Sequence, residues 1–245
     1  PTVSLDPTFL ATLVALLGTT ISPYLFFWQA SQEVEEKRAL TRKRLWTRHG
    51  CTDAELSYAA WDVNTGMLFS NVVMYFIILA SAATLNRAGL TNIQTAADAA
   101  EALRPLAGNA ASLLLTLGLV GSGFLAVPIL TGSSAYAVCE AFGWKHGLNE
   151  KLAGAKRFYA LIVGATVCGA LINYIGINPV TALFWTAVLN GLLAPPLLMV
   201  IMLVANNKAV MGERANGLTL NILGWATVLL MSAAAVALLV TWGQG

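Results

Sequence analysis

The chain has 245 residues, of which 57% are hydrophobic and only 11% are charged. A soluble domain carries about 25% charged residues, so this composition excludes a typical soluble enzyme and a disordered chain. A net charge of +2 is too small to drive binding to the phosphates of nucleic acid. Two histidines and three scattered cysteines exclude a zinc module and a disulfide framework. The sequence therefore predicts a helical membrane protein that is not an enzyme.

Long uncharged stretches separate the clusters of charged residues along the chain. A spanning helix needs about 20 apolar residues, and backbone polar groups in lipid must be satisfied internally, so helices are the expected spans. The pattern predicts an all-α integral membrane protein with a single transmembrane domain over residues 1–245. Six spans are predicted, near residues 8–32, 63–86, 108–141, 156–175, 179–205 and 217–242.

The basic residues are concentrated in three alternate loops. Twelve of the fourteen Lys and Arg lie in residues 33–62, 142–157 and 206–216, and only Arg87 and Arg104 lie on the other side. The positive-inside rule predicts that these three loops are cytoplasmic and that both termini are outside. Because the chain begins with Pro1 rather than Met, we expect it to be a fragment that other residues precede.

The first span contains a predicted helix break. Its residues are, in succession, Gly18, Thr19, Thr20, Ile21, Ser22 and Pro23. Pro23 removes a backbone donor and moves Ser22 away from the α region, while Gly18 weakens the preceding turn. A broken helix frees carbonyls near the bilayer midplane, and a half-helix that ends in carbonyls favours a cation. The alternative is a proline kink that serves helix packing only.

Polar side chains continue along one helical face beyond the break. Ser22, Phe26, Gln29 and Glu33 follow i, i+4, i+7, i+11 spacing, and the face grows more polar toward the predicted cytoplasmic side. Such a face suits the inner vestibule of a transport pathway, and it suits a helix end that emerges into water equally well.

Asn190 is a second polar residue within a predicted span, and Gly191 follows it. An Asn amide in lipid is costly unless it is paired, so its oxygen either ligates a hard cation or, more simply, bonds a neighbouring helix. None of the twelve Asp and Glu lies deep in a predicted span. A divalent cation in a membrane normally needs a carboxylate. Either this chain binds no such cation or the carboxylate lies in a part that precedes Pro1.

Four segments resemble the NRAMP family of divalent-metal transporters, and the resemblance runs over essentially all 245 residues. The segment LGTTISPYLFFWQASQEVEEKR resembles the sixth helix of that family, and TLGLVGSGFLAVPILTGSSAYAVCEAFGW resembles the eighth. The segment LLAPPLLMVIMLVANNKAVMGERANG resembles the tenth helix with its trailing loop, and NILGWATVLLMSAAAVALL resembles the eleventh. The chain is thus similar to helices six to eleven, the C-terminal half of such a transporter.

The resemblance implies a LeuT-type fold, in which two inverted five-helix repeats meet at the metal through broken first and sixth helices. This chain would hold the second inverted repeat plus one extra helix. Its partners would be the lipid bilayer and the missing N-terminal half, which carries the family's Asp and Asn ligands. The expected location is a bacterial inner membrane.

Two departures from the family pattern bear on the transported ion. The family's sixth helix typically reads Ala-x-x-Met-Pro-His at the break, where Ser22 here takes the Met position and Tyr24 the His position. A hydroxyl is a hard ligand and a thioether a soft one. A tyrosine does not titrate near neutrality as a histidine does. The family's Gln on the tenth helix matches Leu193, three residues after Asn190. These changes resemble the NRAMP-related magnesium transporters.

Together these features predict a secondary transporter of divalent metal cations, with Mg²⁺ favoured over Mn²⁺ and no cofactor besides the transported ion. The expected metal contacts are Thr19, Thr20, Ser22 and Asn190. The expected pathway residues are Tyr24, Gln29 and Glu33. The alternatives are a proton-coupled Mn²⁺/Fe²⁺ transporter, a LeuT-fold symporter of an amino acid or similar organic solute, and a non-transporting membrane subunit.

Overall fold

A computed structural model describes residues 6–40, 52–83, 108–172 and 174–242, together with Thr95, Asp98 and Arg104. All regular structure in these ranges is helical. The principal helices are α1 (Pro7–Thr20), α2 (Pro23–Leu40), α3 (Asp53–Ser81), α4 (Ala111–Ala141), α5 (Lys156–Ile172), α6 (Pro179–Asn206), α7 (Lys208–Met211) and α8 (Leu218–Trp242). Single 3₁₀ turns, Gly108–Ala110 and Gly212–Arg214, precede α4 and follow α7.

Within the residues that the structure describes, five stretches are long and apolar enough to cross a membrane, so the chain is an integral membrane protein. They are Pro7–Lys37, Asp53–Ser81, Ala111–Ala141, Pro179–Asn206 and Leu218–Thr241. The remaining predicted span, near 156–175, coincides with α5, a helix of 17 residues at the lower limit for crossing. The count of six spans stays a prediction.

The chain divides into two compact units, and the first comprises Pro1–Gln29 and Thr181–Gly245. Within it, α1 begins at an N-cap, where the Asp6 carboxylate accepts hydrogen bonds from the Thr8 amide at 3.1 Å and the Phe9 amide at 3.3 Å. The unit has one apolar core built from α1, α6 and α8. Its buried side chains are Leu10, Ala11, Val14, Ala15, Ala187, Val188 and Leu238.

The second unit, Ala30–Val180, has its core where α4 and α5 pack together. Tyr136 of α4 and Phe158 of α5 are both fully buried, and their ring centroids lie 4.8 Å apart. The segment 142–155 joins these helices without regular secondary structure. This hairpin of α4, the segment 142–155 and α5 is called the α4–α5 hairpin below.

Two helices extend into the segment 33–62, which the sequence analysis assigned to a loop. α2 continues to Leu40, because its last ten residues are mostly good helix formers, with three glutamates followed by Lys37 and Arg38. α3 begins at Asp53 rather than near residue 63, since Thr52 and Glu55 form a capping box. Hydropathy marks only the apolar part of a helix, so it gives no signal for the polar turns at the end of α2 and the start of α3. Residues 41–51, 84–86 and 173 lie outside the described ranges.

Candidate functional site

The first predicted span is divided into two helices at the segment that the sequence singled out. α1 has Thr20 as its last residue, and Ile21 adopts an extended conformation with φ −110° and ψ 90°. The Ile21 amide still donates to the Leu17 carbonyl at 2.9 Å, whereas α2 begins anew at Pro23. Proline has no amide proton to continue the hydrogen-bond ladder, and it disfavours the α conformation at the residue before it.

Hydroxyl groups bond the backbone around this break. The hydroxyls of Thr19 and Thr20 donate to the Leu16 carbonyl at 2.8 and 2.6 Å, so both side chains turn back along α1. Ser22, only 9% exposed, donates its hydroxyl proton to the Thr19 carbonyl at 3.1 Å. Both threonine hydroxyls are therefore directed toward the preceding turn, and the carbonyls of the two residues lie at the C-terminal end of α1. The Ser22 oxygen donates its proton to the Thr19 carbonyl but keeps its lone pairs, so it can still accept a hydrogen bond or bind a cation.

A backbone contact joins the last turn of α1, which precedes the break, to α6 at the residue that follows Asn190. A Cβ atom on Gly18 would meet the Ala187 carbonyl oxygen and the Gly191 amide, and would lie 2.8 Å from the Gly191 Cα. In the other direction, a Cβ on Gly191 would meet the Val14 carbonyl. Only glycine on both sides allows this approach, so the last turn of α1 lies against α6 at Gly191, the residue that follows Asn190.

The side chain of Asn190 is half-buried on α6. Throughout the described ranges no hydrogen bond joins its amide to another residue. The simpler interpretation from sequence, a bond to a neighbouring helix, is thus not what the described part of the chain shows.

The predicted pathway residues lie along α2 but do not form its buried face. Tyr24 is half-buried, while Gln29 and Glu33 are exposed. The packed side of α2 carries other polar residues, which follow i, i+1 and i+4 spacing. They are Ser31, Gln32 and Glu35. The structure therefore places Ser22 at the break and Asn190 beside the glycine that contacts the last turn of α1, whereas Gln29 and Glu33 are exposed on α2.

Glu35 is a buried carboxylate that the sequence analysis did not single out. It is 8% exposed, and it accepts hydrogen bonds from the Tyr136 hydroxyl at 2.5 Å and the Leu148 amide at 2.9 Å. The Asn149 amide donates to its second oxygen at 3.3 Å. Ser31 and Gln32, which precede Glu35 by four and three positions, were the available signal of a polar face turned toward protein.

The candidate site offers oxygen donors of the hydroxyl, carbonyl and amide type. Hard cations such as Mg²⁺ prefer these ligands. Among the residues that the structure describes, no group of three or more His, Cys, Asp or Glu could hold a metal ion.

Comparison with protein families agrees with the resemblance seen in the four segments. The model of the family described as Nramp, natural resistance-associated macrophage protein-like, matches residues 1–241. The match includes the break after α1, the Asn190 position on α6 and the buried Glu35 of α2. Because it extends over nearly the whole sequence, the chain belongs to the Nramp family, whose members are transporters of divalent metal cations rather than enzymes.

Proposed function

We propose that this chain forms part of a secondary transporter that moves divalent cations by alternating access, with Mg²⁺ favoured over Mn²⁺. The contact between Gly18 and Gly191 carries the proposal, because it joins the interrupted end of α1 to the Asn190 position of α6. Each helix alone offers isolated polar groups. Together they place the polar end of α1 against the α6 residue that follows Asn190.

The polar groups at the break suit a hydrated cation. The carbonyls of Thr19 and Thr20 belong to the C-terminal end of α1, where the helix dipole is negative and the last turn holds no basic side chain. Mg²⁺ dehydrates reluctantly and keeps several waters, whose protons need acceptors. The Ser22 oxygen and the Asn190 amide oxygen can accept those protons, and so can the carbonyls.

The preference for Mg²⁺ rests on Ser22 and Tyr24. A methionine sulfur at the Ser22 position would favour soft transition metals, whereas a hydroxyl favours hard ions. Tyr24 stands where the family has a histidine, so this helix lacks the side chain that would titrate near neutrality. Both differences favour Mg²⁺ transport over the proton-coupled transport of Mn²⁺ or Fe²⁺.

The remaining parts of the proposal concern the whole transporter. We place the chain as the second inverted repeat of a LeuT-type fold with one extra helix, and an N-terminal half supplies the first repeat and a carboxylate ligand. The oxygen set at the break carries no charge of its own, which supports a carboxylate from elsewhere. We place the protein in a bacterial inner membrane, with both termini outside.

Replacing Ser22 tests the ion preference. We expect Ser22→Met, in the full natural chain, to shift the ratio of Mg²⁺ to Mn²⁺ affinities by about tenfold toward Mn²⁺, equivalent to roughly 1.4 kcal/mol. Titrating both ions and Cd²⁺ against purified protein measures the ratio. Ser122→Met is a matched control, since Ser122 also donates to a carbonyl three residues earlier, at 3.0 Å, but on the exposed side of α4. An unchanged ratio in folded Ser22→Met protein would remove Ser22 from the site.

Labelling tests the orientation. Single cysteines at Gly89 and at Leu152, an exposed residue of the segment 142–155, would be treated with an impermeant maleimide in intact cells after Cys51, Cys139 and Cys168 are replaced. We expect Gly89→Cys to react and Leu152→Cys to be protected until the cells are opened. The reverse pattern would invert the proposed topology.

A further inference from the structure

The carboxylate of Glu35 joins α2 to the α4–α5 hairpin through donors from two separate parts of that hairpin. Tyr136 of α4 donates its hydroxyl, and the amides of Leu148 and Asn149 donate from the segment 142–155. Gln32, one turn before Glu35 on α2, donates to the Tyr136 hydroxyl oxygen at 3.3 Å. These five residues are called the Glu35 clasp below.

The segment that provides the two amides is itself tied down. The Tyr159 hydroxyl of α5 lies 3.2 Å from the Leu148 carbonyl and 2.8 Å from the Glu150 carbonyl, so α5 bonds the segment on both sides of Asn149. The Tyr136 ring is fully buried and lies against Phe158. A carboxylate held by several donors in a water-poor place is bound strongly, because charge-assisted bonds are about twice as strong as neutral ones.

Gly147 shows that the hairpin is shaped around the carboxylate. Its φ of +139° is a conformation that side chains rarely adopt, and a Cβ atom there would lie 2.7 Å from the Glu35 Oε1. Gly143 also has a positive φ, of +63°, but a Cβ at that position would meet nothing within 4 Å. Of these two glycines, only Gly147 is required by the approach of Glu35.

α2 connects the Glu35 clasp to the proposed cation site. It is helical without interruption from Pro23 to Leu40. Its first residue directly follows Ser22, and Glu35 lies in its second half. A helix resists bending, because its amides and carbonyls bond each other at every turn. The way in which α2 is held at Glu35 therefore constrains where it can present Ser22.

We propose that Glu35 is a positioning residue for cation binding: the Glu35 clasp holds α2 to the α4–α5 hairpin in the arrangement that presents Ser22 to the cation. This inference rests on the proposed function, which places the cation at the break. Glu35 itself does not touch the ion. Loosening the clasp lowers the fraction of protein in the binding-competent arrangement, and the apparent affinity falls in proportion.

The test separates positioning from simple stability. Transport of Mg²⁺ and of Mn²⁺ would be measured in liposomes that hold the full natural chain, with Glu35→Gln, Tyr136→Phe and Gly147→Ala. We expect the KM for both ions to rise by about tenfold in Glu35→Gln, and less in the other two variants, with the Mg²⁺ to Mn²⁺ ratio unchanged. A constant ratio is expected because the clasp moves the ligand without changing its chemistry.

Matched controls accompany each variant. Glu36→Gln changes an exposed carboxylate on the same helix, and Gly143→Ala imposes a side chain at a positive φ without approaching Glu35. Both should leave the KM unchanged. Glu35→Gln in a Ser22→Ala background should have a smaller effect than it has alone, since the two residues act on one event.

Three results would overturn the inference. If the variants lower only the maximal rate or the amount of folded protein, the clasp is a structural element and nothing more. Failure of even Tyr136→Phe to fold leads to the same conclusion. If the ion ratio shifts, Glu35 contributes ligand chemistry directly. A different result separates this inference from the proposed function. If Glu35→Gln raises the KM as expected but neither Ser22→Met nor Ser22→Ala has an effect, the Glu35 clasp still positions a cation site, but that site does not lie at the break.

Discussion

The two helices of the broken first span are held by different kinds of interaction. α1 is held by shape, since Gly18 and Gly191 let the backbones of α1 and α6 touch and the surrounding core is apolar. α2 is held by charge, through the bonds of Glu35 to Tyr136 and to two backbone amides. Lipid is as apolar as a leucine side chain, so helices in a membrane associate through close packing of small residues or through polar bonds. Close packing therefore holds the helix before the break, and polar bonds hold the helix after it.

The largest expected effect comes from the glycine contact. Gly18→Ala places a Cβ against the Ala187 carbonyl and the Gly191 backbone, which cannot rotate away as a side chain can. We expect a loss of about 3 kcal/mol in the free energy of unfolding, the upper range for overpacking. Denaturation in detergent would measure it. Gly118→Ala on α4, where a Cβ meets nothing within 4 Å, is the control and should be neutral or stabilising. Equal stability of the two variants would contradict the shape argument.

The polar side of the comparison is tested by Glu35→Ala. The change removes the acceptor of the fully buried Tyr136 hydroxyl and of the amides of Leu148 and Asn149. We expect a loss of about 2 kcal/mol in the free energy of unfolding. Glu36→Ala has the same helix propensity and removes an exposed carboxylate, so it should change stability by less than about 0.5 kcal/mol. If both variants lose the same amount, the clasp contributes no stability.

A smaller effect is expected where a helix is stabilised only locally. None of the residues of α3 is buried, and its N-terminus depends on the Thr52–Glu55 capping box. Thr52→Ala should cost about 1 kcal/mol, the usual value for losing an N-cap. Hydrogen exchange should show it as faster exchange in the first turn of α3 alone. Faster exchange in α4 as well would mean that α3 is coupled to tertiary contacts.

The smallest effect sharpens the shape argument. A Cβ on Gly224 of α8 would meet the Met202 sulfur and lie 2.6 Å from its methyl carbon. This contact is nearly as short as that at Gly18, but its partner is the end of a flexible side chain that can change rotamer. Gly224→Ala should therefore change stability by no more than about 0.5 kcal/mol, because the gain in helix propensity offsets the repacking. A loss as large as that of Gly18→Ala would show that the partner's flexibility does not matter.

Much of the helical organisation could be predicted from the sequence, because it depends on local composition. Uncharged stretches of spanning length located the apolar helices, and Pro23 after Ser22 located the break between α1 and α2. The helix ends were less accessible, as at Thr52, where a capping box starts a helix well before the apolar residues begin. The capping pattern was present in the sequence, but hydropathy gives it no weight.

By itself the sequence determined the class of protein, its family and the position of the break, since these follow from composition, matched segments and the covalent chemistry of proline. Only the tertiary structure decided which polar residues meet. Gly18 and Gly191 lie far apart in the chain, and so do Glu35 and Tyr136, and no local pattern encodes such pairs. Glu33 and Glu35 are both glutamates near the end of α2, yet the first is exposed and the second is buried. The physical reason is helical geometry, because two positions along α2 turn a side chain by about 200°, from the open side to the α4–α5 hairpin.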